Sequence, residues 1–304
     1  MKKLIKKLLI KLPYVKELHR KTEVYSQNAC YPPGHYYSPI VSIKDIKVRE
    51  AEIWKNYEID GISDVNLNTK DQVSFVGETL SKYYTTMPFS NSKERGFRFA
   101  FENGMYEQTD GIILYSMIRH LHPKRIIEIG SGHTSALMLD VNELFFENSI
   151  QLTFIEPYPE RLFKNIRETD RKNTTILEKK VQEVEPAFFT QLEAGDILFV
   201  DSTHVSKCGS DVNFIFFEIL PIIKKGVYIH FHDIFYPFEY PKNWVYEGRN
   251  WNENYLLRSF LMNNNDYKIK VFSHYLHTHH KKAFKQMPLA YKNSGGNIWL
   301  EKLK

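Results

Sequence analysis

From about residue 95 onward the chain alternates short apolar runs with stretches of helical period, a pattern compatible with few architectures. Strands are expected at 126–129, 151–156, 175–178, 196–201 and 226–231, each short and rich in Ile, Val, Leu or Phe. Helices are expected between and around them, at 110–120, 135–146, 160–168, about 186–192, 212–223 and 252–262. Buried strands separated by helices make an α/β, Rossmann-like, doubly wound parallel sheet. Two further strands, 267–273 and 297–301, have only 274–296 between them. They are expected to close a seven-stranded sheet as an antiparallel hairpin, with 262–266 and 275–282 as surface turns.

In such a sheet ligands bind beyond the carboxyl ends of the strands. The first strand ends at Glu128 and runs into Gly130, Ser131 and Gly132, just before a helix starts. Glycine lets ligand atoms approach the backbone, and the new helix offers unpaired N–H groups. The second strand ends at Glu156, whose carboxylate can accept hydrogen bonds from two ribose hydroxyls. The third leads toward Val181, against which an adenine can lie. The fourth ends at Asp201 and the fifth at His232 and Asp233.

Composition narrows the partners. Of 304 residues, 42% are hydrophobic and 14% aromatic, which describes a globular chain. The net charge of +5 is small and spread out, so no nucleic-acid partner is expected. Cys30 and Cys208 lack metal-ligand spacing and suit a reducing compartment, although spacing alone leaves a disulfide open. No apolar run approaches the roughly 20 residues that span a bilayer, and lysines interrupt the only signal-like segment. A cytoplasmic location is expected.

Residues 1–94 read as an N-terminal extension and 95–304 as the ligand-binding domain. Within the extension, Leu4, Ile5, Leu8, Leu9 and Leu12 oppose Lys2, Lys3, Lys6, Lys7 and Lys11 at helical spacing, and Pro13 stops the pattern. Segment 1–12 is therefore a terminal helix packed on its own domain or on a second subunit of a homodimer, or a peripheral contact with an anionic membrane. The run 32–39, PPGHYYSP, presents His35, Tyr36 and Tyr37 on an extended loop, either as a rigid connector or as a flap over the site. An aromatic run at 236–251, containing Trp244, follows the fifth strand and is expected to form a substrate-binding lid.

The motifs EIGSGHTS (128–135), FIEPYPE (154–160), DILFVDSTH (196–204) and GVYIHFHDIF (226–235) together resemble class I S-adenosylmethionine-dependent methyltransferases. The resemblance covers residues 95–304. Segment 32–39 and the stretch 102–106, which holds Tyr106, resemble a bacterial subgroup of small-molecule or sugar O-methyltransferase-like proteins. The family's third glycine is absent here, since Thr134 stands in its place. The resemblance implies that Glu128, Gly130, Ser131 and Gly132 hold the methionine part of S-adenosylmethionine. It also gives Glu156 to the ribose, with Val181 and Asp201 completing the cofactor site.

Methyl transfer is an in-line displacement, so the protein must align the nucleophile and take its proton. Asp201, His204, His232 and Asp233 are the candidates where that nucleophile arrives. A histidine can act as the base. Alternatively, Asp201, His232 and Asp233 hold Mg2+ or another divalent cation that acidifies a hydroxyl. His230, inside the strand, reads as structural. The expected acceptor is a hydroxyl of a small or glycan-type molecule, with His35, Tyr36, Tyr37, Tyr106 and Trp244 as candidate contacts. Rival readings are an N-methyltransferase, a nicotinamide-dependent oxidoreductase with Ser135 at its third glycine position, and an inactive, membrane-associated binding protein of the same fold.

Overall fold

The computed structural model describes residue 9 and residues 12–304. The chain divides into two compact units, one of residues up to 54 with 242–250 and one of 55–241 with 251–304. The boundary expected at residue 94 thus falls at 54. Apart from Leu9 and Leu12, the basic segment 1–12 lies outside the described residues. Among those described, no helix is long and apolar enough to cross a membrane. Cys30 and Cys208 are both free and exposed.

The smaller unit carries helix α1 (Pro13–Asn28), with proline at its first turn and no buried residue. Proline fits there because the first helical N–H groups have no intrahelical acceptor. Segment 32–39 is a series of turns, as its prolines and Gly34 require, with Tyr31 stacked on His35 at 4.7 Å. Tyr36 and Tyr37 are exposed. Trp244 lies in the short helix Lys242–Tyr246 of the same unit, where the Arg249 guanidinium sits 4.2 Å from its ring centre.

The larger unit is built on seven strands, β1 (Arg125–Ile129), β2 (Gln151–Ile155), β3 (Thr175–Leu177), β4 (Ile197–Val200), β5 (Tyr228–His232), β6 (Tyr267–Phe272) and β7 (Asn297–Lys302). Their order is 3-2-1-4-5-7-6, parallel except for β7, which runs antiparallel to both β5 and β6. The seven-stranded, mostly parallel sheet with an antiparallel end is the one the sequence predicts. Helices α2 (Gln108–Leu121) and α3 (His133–Phe146) pack on one another, and most of their residues are buried. Each fully buried Leu, Ile or Phe here contributes about 1.5–3 kcal/mol of transfer free energy.

The connections differ from expectation in three places. The 160–168 helix is broken in two, Glu160–Asn165 and Glu168–Asn173, by extended backbone at Ile166 and Arg167. The 186–192 segment is a tight 3-10 turn. The expected loop between β6 and β7 is largely helical, with Ser273–His279 and Pro288–Lys292 as helices. Tyr275 and Leu276 are fully buried there, so 275–282 is not a solvated turn. The Tyr275 hydroxyl donates to Asp60 at 2.6 Å, tying residues 55–94 to this end of the sheet. Gln72, fully buried, accepts from the Phe272 N–H at 2.6 Å and strengthens that attachment.

On the opposite flank the buried Arg98 guanidinium joins Asp140 of α3 at 2.7 Å and Asp170 at 2.6 Å. Burial opposes its charge, but the bonds to Asp170, Asp140 and Glu143 outweigh that and hold its pKa above the ordinary arginine value.

The strand register sets the site. Ile129 lies beside Ile155 and Val200, and Val200 lies beside Phe231. The residues that follow, Gly130, Glu156, Asp201 and His232, therefore emerge in one row at the carboxyl edge of the sheet.

Candidate active site

Gly130 turns the chain at the end of β1 with φ +80°, donating its N–H to Ile155 O at 3.0 Å. The Asp201 N–H donates to Ile129 O at 2.9 Å, which draws the β4 exit against the same turn. Glu156 spans the β2 exit. Its Oε2 accepts from the Ser131 N–H at 3.0 Å and its Oε1 from the Tyr158 N–H at 2.8 Å.

Beneath the turn, Glu128 is fully buried. Its Oε2 accepts from the Ser135 hydroxyl, which in turn accepts from the Gly132 N–H at 3.0 Å. Oε1 of Glu128 has no hydrogen-bond partner among the described residues. Burial pushes this carboxyl up to about 8, helped by the negative charge of Asp201 and only partly opposed by the hydroxyls of Ser135, Thr134 and Ser131.

Two adjoining cavities share this row of residues. The larger, about 430 Å³, is lined by Glu156, Tyr158, Val181, Gln182 and Asp201 among others. The smaller, about 300 Å³, continues past the glycine turn to Tyr106, His204, His232, Asp233 and Trp251. Both volumes suit a small organic ligand. Glu128 lies under the turn they share.

At the far end of the smaller cavity, carboxylates and imidazoles interleave. His232 Nδ1 lies 3.4 Å from Asp201 Oδ1 and 3.7 Å from Asp233 Oδ1. His204 Nε2 lies 3.5 Å from both Asp201 Oδ1 and Asp233 Oδ2. On its other side His204 Nδ1 meets Glu253 Oε2 at 2.8 Å. Rings close the space, with Tyr106 5.0 Å from His232 and Trp251 4.4 Å from His204, centre to centre. His204 and Asp233 both take left-handed backbone, φ 59° and 55°, uncommon for residues with a side chain. Among the described residues no group of three or more His, Cys, Asp or Glu side chains has the arrangement to hold a metal ion.

The charges in this cluster follow from contact. Burial opposes a charge on His232, but Asp233 and Asp201 overcome it and push its pKa up to about 10. Burial likewise opposes protonation of His204, and bonds to Asp201 and Glu253 raise its pKa well above the ordinary value. Burial raises Asp201, yet His232 and His204 reverse this and hold it well below the usual carboxylate range. Asp233 goes the other way. Burial, with Asp201 and Asp110 nearby, keeps its pKa above normal despite both histidines.

Four catalytic candidates, Asp201, His204, His232 and Asp233, thus come together. Glu128, Gly130, Ser131, Gly132, Glu156 and Val181 fall around the adjoining turn and larger cavity. Tyr106 lines the smaller cavity, while His35, Tyr36, Tyr37 and Trp244 belong to the smaller unit. Of the aromatic run, Tyr236, Phe238 and Tyr240 are core residues, and Trp251 lines the smaller cavity. His230 is fully buried and stacked on Phe199 at 3.8 Å, with burial pressing its pKa well below normal, as a structural residue would have it. Sequence reasoning missed Glu253, which begins helix α4 (Glu253–Leu261).

Comparison with known proteins adds a family. The profile of a family described as "Methyltransferase domain" matches residues 127–234, from β1 through the β5 exit. A protein of Archaeoglobus fulgidus named only as uncharacterized is 32% identical over 166 residues, which are 54% of this chain and 74% of that protein. The chain belongs to the class I S-adenosylmethionine-dependent methyltransferases.

Solved structures resemble this methyltransferase more loosely. An apo structure of CmcI is 14% identical with a TM-score of 0.42, covering 66% of this chain and 72% of that one. An SAH-bound methyltransferase of Podospora anserina, PaMTH1, is 15% identical with a TM-score of 0.42, covering 80% and 99%.

Proposed function

We propose that this methyltransferase moves the methyl group of S-adenosylmethionine to a hydroxyl oxygen of a small-molecule or glycan-type acceptor in the smaller cavity. The observation that carries this reading is the interleaved cluster of Asp201, His204, His232 and Asp233 lining the end of a cavity that adjoins the glycine turn.

The residues present fit the methyl donor. Glu156 offers carboxylate oxygens to the ribose, Val181 an apolar surface to the adenine, and Gly130–Gly132 a backbone turn without side chains for the methionine part. The orphaned Oε1 of Glu128 lies under that turn, where it favours a cationic ammonium nearby. When bound, the donor supplies a methyl group on a sulfonium whose neutral thioether is a good leaving group.

The remaining work is proton transfer. Both histidines are held as cations by their carboxylate partners, so neither is the free imidazole that a base must be. Asp233, raised by burial and by Asp201, is the better proton acceptor. The acceptor O–H proton passes to Asp233, the oxygen–carbon bond forms as the carbon–sulfur bond breaks, and a methyl ether and S-adenosylhomocysteine result. His204 and His232 face the oxygen while it carries negative charge. In the alternative route to the same product, Asp201, His232 and Asp233 would hold Mg2+, which would acidify the acceptor hydroxyl. Asp201 and Asp233 already face His204 and His232, which favours the proton-transfer route.

The test is an acceptor panel of phenols, glycosides, hydroxy acids and amines with methyl-tritiated donor, with and without EDTA. The reading expects an O-methyl product that persists in EDTA and falls about 10²–10⁴-fold in kcat in Asp233→Asn. Methylation of amines only, unchanged in Asp233→Asn and His232→Gln, overturns it.

A further inference from the structure

Glu253 stands outside every motif that marks the site, yet it is 1% exposed and both of its oxygens are engaged within the cluster. Oε2 meets His204 Nδ1 at 2.8 Å, and Oε1 accepts from the Ser202 hydroxyl at 2.9 Å. The Ser202 oxygen also accepts from the His204 N–H at 3.1 Å, so one small ring of bonds encloses the histidine. The backbone is stitched at the same point. The Asn252 and Glu253 N–H groups donate to His204 O at 3.0 and 3.2 Å, and Asn252 Oδ1 accepts from the Ser206 N–H at 2.6 Å. The start of α4 therefore grips the loop after β4 precisely where its backbone is left-handed.

A carboxylate is an acceptor only, so the His204 nitrogen that faces it must carry a proton. With Nδ1 fixed this way, the ring has one free edge. That edge, Nε2, lies 3.5 Å from Asp201 and from Asp233 at the smaller cavity. Trp251 against the ring leaves it little room to turn.

We infer that Glu253 is a positioning residue of this enzyme, which holds the Nδ1–H of His204 and so aims its Nε2–H between Asp201 and Asp233 at the reacting oxygen. The second half of that statement rests on the proposed O-methylation, and the first half does not. Ser202 serves the same end by holding the other oxygen of Glu253. Orienting a ring through a buried carboxylate is the way an acidic residue supports a catalytic histidine in hydrolases, here with an α4 residue in that role.

The test uses full-length protein with 15N-labelled histidine, saturated with S-adenosylhomocysteine, so that no acceptor is needed for its first arm. The wild type should show an exchange-protected Nδ1–H resonance that is assigned to His204, apart from any belonging to His232, by its loss in His204→Asn. Glu253→Leu, close in size but without acceptor oxygens, should lose that resonance while calorimetry shows S-adenosylhomocysteine bound within about threefold of wild type. Glu253→Gln, which still offers one oxygen, should keep it. On whichever hydroxyl acceptor of the panel turns over, Glu253→Leu should lose about 100-fold or more in kcat with little change in KM, and Glu253→Gln less. Should Glu253→Leu not fold, Ser202→Ala provides the same readout as faster exchange of the Nδ1 proton. An unchanged resonance in the folded Leu or Ala variant overturns the positioning role. A lost resonance with wild-type kcat overturns its part in the reaction. If no acceptor turns over, the O-methylation reading falls while the resonance still decides whether Glu253 holds His204.

Discussion

A Cβ placed on Gly130 would stand 1.9 Å from the Asp201 carbonyl oxygen, so the ends of β1 and β4 approach as closely as they do because residue 130 has no side chain. The contact is to backbone, which cannot swing aside, and φ +80° is a second reason for glycine. Gly130→Ala should therefore force the two strand ends apart. We expect a stability loss of about 1–3 kcal/mol or more and at least a tenfold loss of affinity for S-adenosylhomocysteine, read by thermal unfolding and calorimetry. Normal affinity in this variant would mean that the turn does not shape the donor site.

Glu128 makes donor binding depend on pH. With its carboxyl pushed up to about 8 by burial, it is mostly protonated at pH 7. A cationic donor favours the ionised form, so binding should release close to one proton at pH 7, and affinity should rise from pH 6 to 9. Calorimetry in buffers of different ionisation enthalpy counts that proton. In Glu128→Gln the release should vanish. Equal release in wild type and variant would assign the proton to another group.

His232 ties stability to alkaline pH. Burial opposes its charge, and Asp233, Asp201 and Asp110 together raise it to about 10, with neutral His230 behind it. A folded pKa above the unfolded value of about 6.5 means stabilisation that is complete below that value and lost as pH climbs to about 10. Thermal unfolding from pH 6 to 10 should show a steeper decline for wild type than for His232→Gln. Parallel curves would remove His232 from the account.

Arg98 tests the scaffold apart from the site. It is 7% exposed and bridges Asp140 and Asp170, so removing it leaves buried carboxylates without their cation. Arg98→Ala should cost about 3–5 kcal/mol, measured by urea unfolding, a loss far beyond that of an exposed ion pair. A loss under about 1 kcal/mol would show that the site relaxes or admits water.

The parts of the site that could be read from sequence were those fixed by local pattern. A β-branched run ending in Glu128 or Asp201 announces a strand end, and in a parallel sheet strand ends converge, so Gly130, Glu156, Asp201 and His232 could be grouped without coordinates. Glu253 could not, because its partner His204 lies on a loop far upstream and only the packing of α4 brings them together. Trp251 was hidden for a related reason, since an aromatic run does not say which ring faces the cavity. The helix Ser273–His279 was missed because its histidines and tyrosine gave no apolar stripe. Tyr275 is buried by partners distant in sequence, its ring against Tyr236 and its hydroxyl on Asp60 and Thr69, which local pattern does not announce.

The most direct test of the whole account is a crystal structure of the full-length protein with S-adenosylhomocysteine and magnesium chloride. The account predicts ribose hydroxyls on Glu156, adenine against Val181, and sulfur directed at the smaller cavity, with His204 and His232 still between Asp201 and Asp233. A nucleoside bound elsewhere, or a magnesium ion seated on Asp201 and Asp233 with the imidazoles turned away, would contradict it.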